Sequence, residues 1–179
     1  MATWFTADLH FRHANIIRHC NRPFTDRDAM NEALVAGIVV RVAPEDDLWI
    51  VGDFSFAGGK KRCAETAALF ERLPGRKHLV RGNHDGEATA ALPWASRHDM
   101  VLVKTPEASF FLCHYPMLTW PAARHGVVHL FGHVHDAWRG ARQMVNVGVD
   151  LWDFRPISPS EILERSGALP TQPYFDLLS

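Results

Sequence analysis

An apolar run that stops at a glycine and gives way at once to metal- and proton-competent side chains constrains this chain most. Lys77-His78-Leu79-Val80 reads as a strand, and Gly82-Asn83-His84-Asp85 follows after one residue. A glycine lets the backbone turn as a strand ends, and loops at the carboxyl ends of strands are where α/β folds hold their chemistry. Taken alone, the loop is equally well an Asx-type turn with a histidine beside it. Four other places repeat the pattern: Thr3–Ala7 before Asp8-Leu9-His10, Asp47–Val51 before Gly52-Asp53, Ser109–Cys113 before His114, and Val127–Phe131 before Gly132-His133-Val134-His135.

With 179 residues, 47% of them hydrophobic, the chain is long enough for one globular domain with a proper core. A formal net charge of −1 and the lack of a basic stripe speak against a nucleic-acid backbone or an anionic membrane as partner, so a nucleotide enters only as a small substrate. Three cysteines without CxxC spacing indicate neither a disulfide framework nor a thiolate zinc site. They suit a reducing, cytoplasmic setting. No basic segment followed by an apolar core opens the chain, and no apolar run approaches the ~18 residues of a membrane helix.

Between the strands, Phe11–Arg18 reads as a helical turn. Asp26 is placed to cap a helix from about Asp28 to Val42, with Met30, Leu34 and Ile38 recurring at helical spacing on its core side. The loop Ala57-Gly58-Gly59 leads into a second helix, about Lys61 to Leu73. Met100–Val103 and Ser109–Cys113 read as an antiparallel hairpin, and Met144–Val149 as the last core strand. Ser158, Ser160 and Glu161 can start a short helix, followed from Pro170 by an extended tail.

The polar residues at the strand ends are Asp8, His10, Asp53, Asn83, His114, His133 and His135, with His84 beside them. Two residues apart on an extended backbone point the same way, which lets Asp8 and His10 reach one ion. Seven nitrogen and oxygen donors suit two ions sharing one carboxylate, a pair typically ~3.5–4 Å apart. A single zinc needs only three or four ligands. Arg12, His13 and Arg22 are either solvated side chains or parts of an anion pocket beside the metals. His19, His78, His98, His125 and His129 lack such placement and are read as ordinary surface or core histidines, and Trp94, Trp120, Trp138 and Trp152 as core.

In their order, Asp-x-His, Gly-Asp, Gly-Asn-His-Asp, a lone His after a strand, and Gly-His-x-His resemble the five signature blocks of the calcineurin-like metallophosphoesterases. The similarity spans nearly the whole chain. Cys20-Asn21-Arg22-Pro23-Phe24 and Asn146-Val147-Gly148-Val149-Asp150 further resemble small bacterial and phage-type members that consist of the catalytic core alone. The resemblance implies an α/β fold of mixed α+β character, a four-layer αββα sandwich of two mixed sheets with a dinuclear centre at one edge. It implies two divalent ions per chain, Mn²⁺ first, with Fe, Zn, Co and Ni as alternatives. Asp8, His10 and His135 would hold one, Asn83, His114 and His133 the other, and Asp53 would bridge them. A water or hydroxide between the ions would be the nucleophile, and His84 would face the substrate as the acid for the leaving oxygen. The protein-phosphatase branch has a second aspartate shortly after the bridging one, orienting that histidine. Gly52-Asp53-Phe54-Ser55-Phe56 has none, which leaves Asp85 as the orienting candidate. The expected function is phosphoric ester hydrolysis, a small-substrate phosphodiesterase ahead of a phosphomonoesterase, pyrophosphatase or nuclease. The alternative of another class is a non-catalytic scaffold, in which loss of the ligands would be the first sign of decay.

Overall fold

The apolar runs become two sheets whose strand ends meet along one edge. The computed structural model describes residues 1–56 and 60–171, with the backbone alone for 60–62. β1 (Thr3–Thr6), β2 (Asp47–Val51), β3 (Arg76–Val80) and β4 (Ser96–His98) lie parallel in that order. Ile157 adds an antiparallel bridge beside Phe5, which makes this sheet mixed. The second sheet has the order β5 (Met100–Lys104), β6 (Ser109–Cys113), β7 (Val128–Phe131), β9 (Met144–Asn146), β8 (Gly140–Ala141). Its β5–β6 hairpin is antiparallel, while β6, β7 and β9 run parallel. Parallel strands put their carboxyl ends on one side. The ends of β1, β2, β3, β6 and β7 therefore share an edge, and a parallel bridge between Ala7 and Gly148 stitches the two sheets there.

Three helices, α1 (Ala14–His19), α2 (Arg27–Val39) and α3 (Lys60–Arg72), belong to the first sheet's outer layer. Met30, Leu34 and Ile38 of α2 and Phe70 of α3 pack with Leu48, Ile50 and Leu79 in one core. Asp26 caps α2 as anticipated, its carboxylate accepting the Asp28 and Ala29 N–H groups at 2.9 and 2.8 Å. The helix ends at Val39 and not Val42: Arg41 and Val42 both donate to the Ile38 carbonyl in a tightened turn, and Pro44 disfavours helical backbone before it. A second core lies between the sheets, with Phe5, Val51 and Val80 on one side and Phe110, Leu112, Leu130 and Val145 on the other. Ile162 of α5 (Pro159–Ala168) joins it, and Ser158 and Glu161 form the reciprocal capping box that starts this helix.

The fourth layer of the sandwich is slight. Phe111, Phe131 and Met144 on the second sheet's outer face are covered by Trp120 and a single 3-10 turn, Ala123–His125. The short α4 (Glu87–Ala90), β4 and β8 carry too little periodic sequence to be read in advance. The last core strand stops at Asn146, three residues early, because the Asn146 side chain replaces the ladder. It donates to the His135 and Trp138 carbonyls and accepts the Gly148 N–H, and the chain turns into a 3-10 helix at Val149–Leu151. The loop at 57–59 and the tail beyond residue 171 lie outside the described residues. No helix among the described residues is long and apolar enough to cross a membrane.

Candidate metal centre

The loops at the shared edge are held in backbone conformations that side chains rarely adopt. Asp8, His10, Asp53, His133 and His135 have φ of 56°, 51°, 55°, 70° and 49°. Left-handed backbone costs a non-glycine residue about 1–2 kcal/mol, and such strain clusters where surrounding structure enforces it. Asp8 and His10 do reach the same place, but not through strand alternation. β1 ends at Thr6, and left-handed turns at Asp8 and His10 leave Leu9 and Phe11 fully buried between and beyond them. The loop is clamped against its neighbour: Asp8 and His10 donate their N–H groups to the Gly52 and Asp53 carbonyls at 3.0 and 2.9 Å.

The carboxylates fasten these loops to one another. Both oxygens of Asp8 accept the His133 N–H, at 3.0 and 3.1 Å, joining the ends of β1 and β7. Asp53 accepts the His84 N–H at 2.9 Å, joining the ends of β2 and β3. Asp85 does not orient His84. Its buried carboxylate accepts the Asp53, Phe54 and Gly82 N–H groups at 2.8, 2.9 and 2.9 Å, so it locks two loops together. Glycine is required where the backbone passes these side chains. A Cβ on Gly82 would collide with Asp53, and one on Gly132 would lie 2.6 Å from the Asp8 carboxylate.

Four imidazoles and Asn83 complete the cluster. His114 Nδ1 donates to the Val51 carbonyl at 3.0 Å, turning Nε2 toward Asn83 Oδ1 at 3.1 Å and Asp53 Oδ2 at 3.4 Å. His133 Nδ1 lies 2.9 Å from the same Asn83 oxygen. His10 Nε2 lies 3.4 Å from Asp53 Oδ2, which thus stands between His10 and His114. His135 Nδ1 is held by Asp150 at 2.9 Å, and donor atoms of Asp8, His10 and His135 fall within 4.8 Å of one another. Holding one ring nitrogen to leave the other free is how metal-ligating histidines are oriented.

These residues fit divalent ions. Ligands bonded at right angles to one ion lie about 3 Å apart, close to the separations around Asn83 Oδ1. Buried His10 Nε2 has no hydrogen-bond partner. Electrostatics point the same way. Burial pushes the Asp8 carboxyl up to about 6 despite the histidines around it, the mark of an anion lacking a strong countercharge. Burial opposes charge on His135, yet its bonds to Asp150 and Cys20 and the Asp8 charge raise it to about 10. Burial likewise works against charge on Asp53, but His114 and His10 outweigh it and hold the carboxyl at about 2. His10 and His133 are pushed down, chiefly by burial, toward the neutral form in which an imidazole ligates a metal.

The other sequence-suggested contacts divide. His13 reaches the site, its Nδ1 3.2 Å from His10 Nδ1 and its ring stacked on Phe56 with centroids 4.5 Å apart. The His84 ring stands 5.1 Å from that of His10. Arg22 and Arg12 do not form an anion pocket. Arg22 is buried, giving two bonds to Asp150, at 2.7 and 3.0 Å, and others to the Asp8 and Leu9 carbonyls. Its guanidinium supports the Asp8 loop from behind. Arg12 turns to Glu65 of α3 and lies 3.9 Å from Asp28. Asp150 is the functional residue that the spacing did not single out, since its partners Arg22 and His135 lie 128 and 15 positions away.

The calcineurin-like phosphoesterase family model matches residues 1–137. An uncharacterized protein of Methanocaldococcus jannaschii is 29% identical over 164 residues, covering 87% of this chain and 85% of that protein. The Gene 66 protein of Mycobacterium phage D29 is 28% identical over 180 residues, covering 83% and 88%. Among solved structures, a protein of unknown function from Aquifex aeolicus superposes with a TM-score of 0.73 at 26% identity, over 91% of this chain and 98% of that one. The phosphoesterase Yfce of E. coli shares the fold, with a TM-score of 0.52 at 20% identity over 83% and 78%.

Proposed function

We propose, from the premise that this chain belongs to the calcineurin-like phosphoesterase family, that it hydrolyses small phosphodiesters at a dinuclear centre. Family membership makes it a metal-dependent phosphoesterase. The observation that carries the finer reading is the Asp53 carboxylate 3.4 Å from both His10 Nε2 and His114 Nε2, with His114 also beside Asn83 Oδ1 and His10 Nε2 without a hydrogen-bond partner. Asp8, His10 and His135 would hold one ion and Asn83, His114 and His133 the other, with Asp53 shared. When bound, the ions supply Lewis-acid charge to the phosphoryl group and lower the pKa of water.

The chain's own residues do the rest. Asp150 and the Val51 carbonyl fix the tautomers of His135 and His114, so that Nε2 of each is the free donor. Asp85 and Arg22 hold the loops rigid from behind. His84, whose ring stands beside those of His10, His13 and Phe56, carries the proton to the departing oxygen. Asn83 and His133 are exposed, which suits a small or protruding substrate. The engagement of Arg12 and Arg22 elsewhere supports the diester reading, since neither is free to clamp the second negative charge of a monoester.

With Mn²⁺, methyl p-nitrophenyl phosphate should be hydrolysed faster than p-nitrophenyl phosphate, and the reverse order would overturn the diester assignment. His84→Ala should keep both ions and lower kcat by roughly 10²–10⁴-fold on an alkyl diester, where an alkoxide must be protonated as it leaves. The loss on a p-nitrophenyl ester should be much smaller. Equal loss on both would make His84 a charge clamp, and loss of an ion would make it a ligand.

A further inference from the structure

The centre has two flanks. On one, the His13 ring lies flat against the partly exposed Phe56, and Arg12 and Arg22 are turned away. The other is a cavity of about 500 Å³ lined by Arg81, Gly82, Asp99, Met100, Cys113 and Tyr115. It adjoins the centre directly. Gly82 precedes Asn83, and the Tyr115 ring meets that of His133 edge-on, centroids 4.7 Å apart. Tyr115 and Met100 remain 45% and 54% exposed. The Arg81 guanidinium makes no hydrogen bond or ion pair among the described residues, and Asp99, on the same wall, is not within ion-pair distance of it.

An exposed aromatic ring, an unpaired guanidinium and a carboxylate around one cavity recognise a flat ring, an anion and a hydrogen-bond donor. A nucleotide carries all three. Resting on the phosphoesterase reading above, we propose that this cavity is a subsite for the nucleotidyl group of a diester whose scissile phosphate sits at the metal centre. The base stacks on Tyr115 against Met100, Asp99 accepts an N–H or O–H of the same group, and Arg81 pairs with a neighbouring phosphate. The preferred substrate is then a short, multiply phosphorylated nucleotide and not a simple alkyl ester.

Three esters with one leaving group test this: methyl p-nitrophenyl phosphate, p-nitrophenyl thymidine 5′-phosphate, and the latter bearing a 3′-phosphate. Wild type should prefer the second to the first, and the third to the second, each by about tenfold in kcat/KM. Tyr115→Leu should lower the first ratio about tenfold, the loss expected of a base–aromatic stack, and Tyr115→Phe should retain it. Arg81→Gln should lower the second ratio about tenfold. Ratios within one preparation are insensitive to any loss of folded or metal-loaded protein. Ratios near one in wild type, or unmoved by either substitution, would overturn the subsite. If wild type hydrolysed none of the esters, the phosphoesterase reading would fail. Calorimetry with thymidine 3′,5′-bisphosphate would still decide the subsite: about tenfold weaker binding in both Tyr115→Leu and Arg81→Gln supports it, and unchanged binding overturns it.

Discussion

Replacing Arg22 by methionine separates a structural arginine from a substrate-binding one. The Arg22 side chain is fully inaccessible and donates to both oxygens of Asp150 and to the Asp8 and Leu9 carbonyls. Methionine matches much of its length but donates nothing. Asp150 would keep only His135, and two buried carbonyls would lose their partners. Breaking a buried ion pair from one side costs about 3–5 kcal/mol, with the orphaned carbonyls contributing to that range. For a chain of this length each kcal/mol moves the Tm by roughly 2–4 °C, so Arg22→Met should melt about 10 °C lower. Because no Arg22 donor faces the open edge, KM at a temperature where the variant is folded should stay within about threefold of wild type, while kcat falls as the Asp8 and His135 supports loosen. Differential scanning fluorimetry and steady-state kinetics on the same preparation provide both numbers. An unchanged Tm with a tenfold higher KM would instead assign Arg22 to the substrate.

Asp150→Asn should weaken metal binding by about 10–100-fold, the usual cost of removing the carboxylate behind a ligating histidine, and a Mn²⁺ titration would measure it. An unchanged affinity would detach Asp150 from the centre. His129 gives a pH dependence remote from the metals. It is fully buried, with Nδ1 3.1 Å from the Phe111 carbonyl and Nε2 shared between the Met117 N–H at 3.2 Å and the Tyr115 carbonyl at 3.1 Å, and burial outweighs the two carbonyls and pushes its pKa down to about 4, which favours the neutral ring. The folded pKa lies below the unfolded one, so the stabilisation is present above about pH 6.5 and is lost as the pH falls toward 4, by about 3 kcal/mol in all. Urea unfolding of wild type and His129→Gln should give a stability difference that shrinks between pH 7 and pH 5, and a pH-independent difference would contradict the neutral assignment.

Much of this architecture was legible because it rests on local pattern. Short apolar runs bounded by glycine or polar clusters specified the long strands. Asp26 and the Ser158–Glu161 pair marked helix starts through hydrogen bonds made within three residues. The edge where the chemistry gathers follows from five strands ending in polar residues. What stayed hidden is set by the fold at long range. Nothing near Arg22 announces that its partner is Asp150, and nothing near Arg12 announces Glu65; in the sequence both arginines look available to an anion. Asp85 sits beside His84 in the chain, yet three N–H groups from two loops claim its carboxylate. The left-handed turns at Asp8, His10, Asp53, His133 and His135 fall on Asp and His, which adopt such backbone more often than other non-glycine residues but still too seldom for the residue type alone to locate a turn.

Seven residues holding two divalent ions, with Asp53 common to both, would show in the metal content. Wild type and Asp53→Asn would each be saturated with Mn²⁺, dialysed against metal-free buffer and subjected to elemental analysis. Wild type should retain two ions per chain, and Asp53→Asn, lacking the shared negative charge, should retain fewer than about one, with both sites weakened together. Two ions held at full affinity in Asp53→Asn, or a wild type that never binds more than one, would contradict the account.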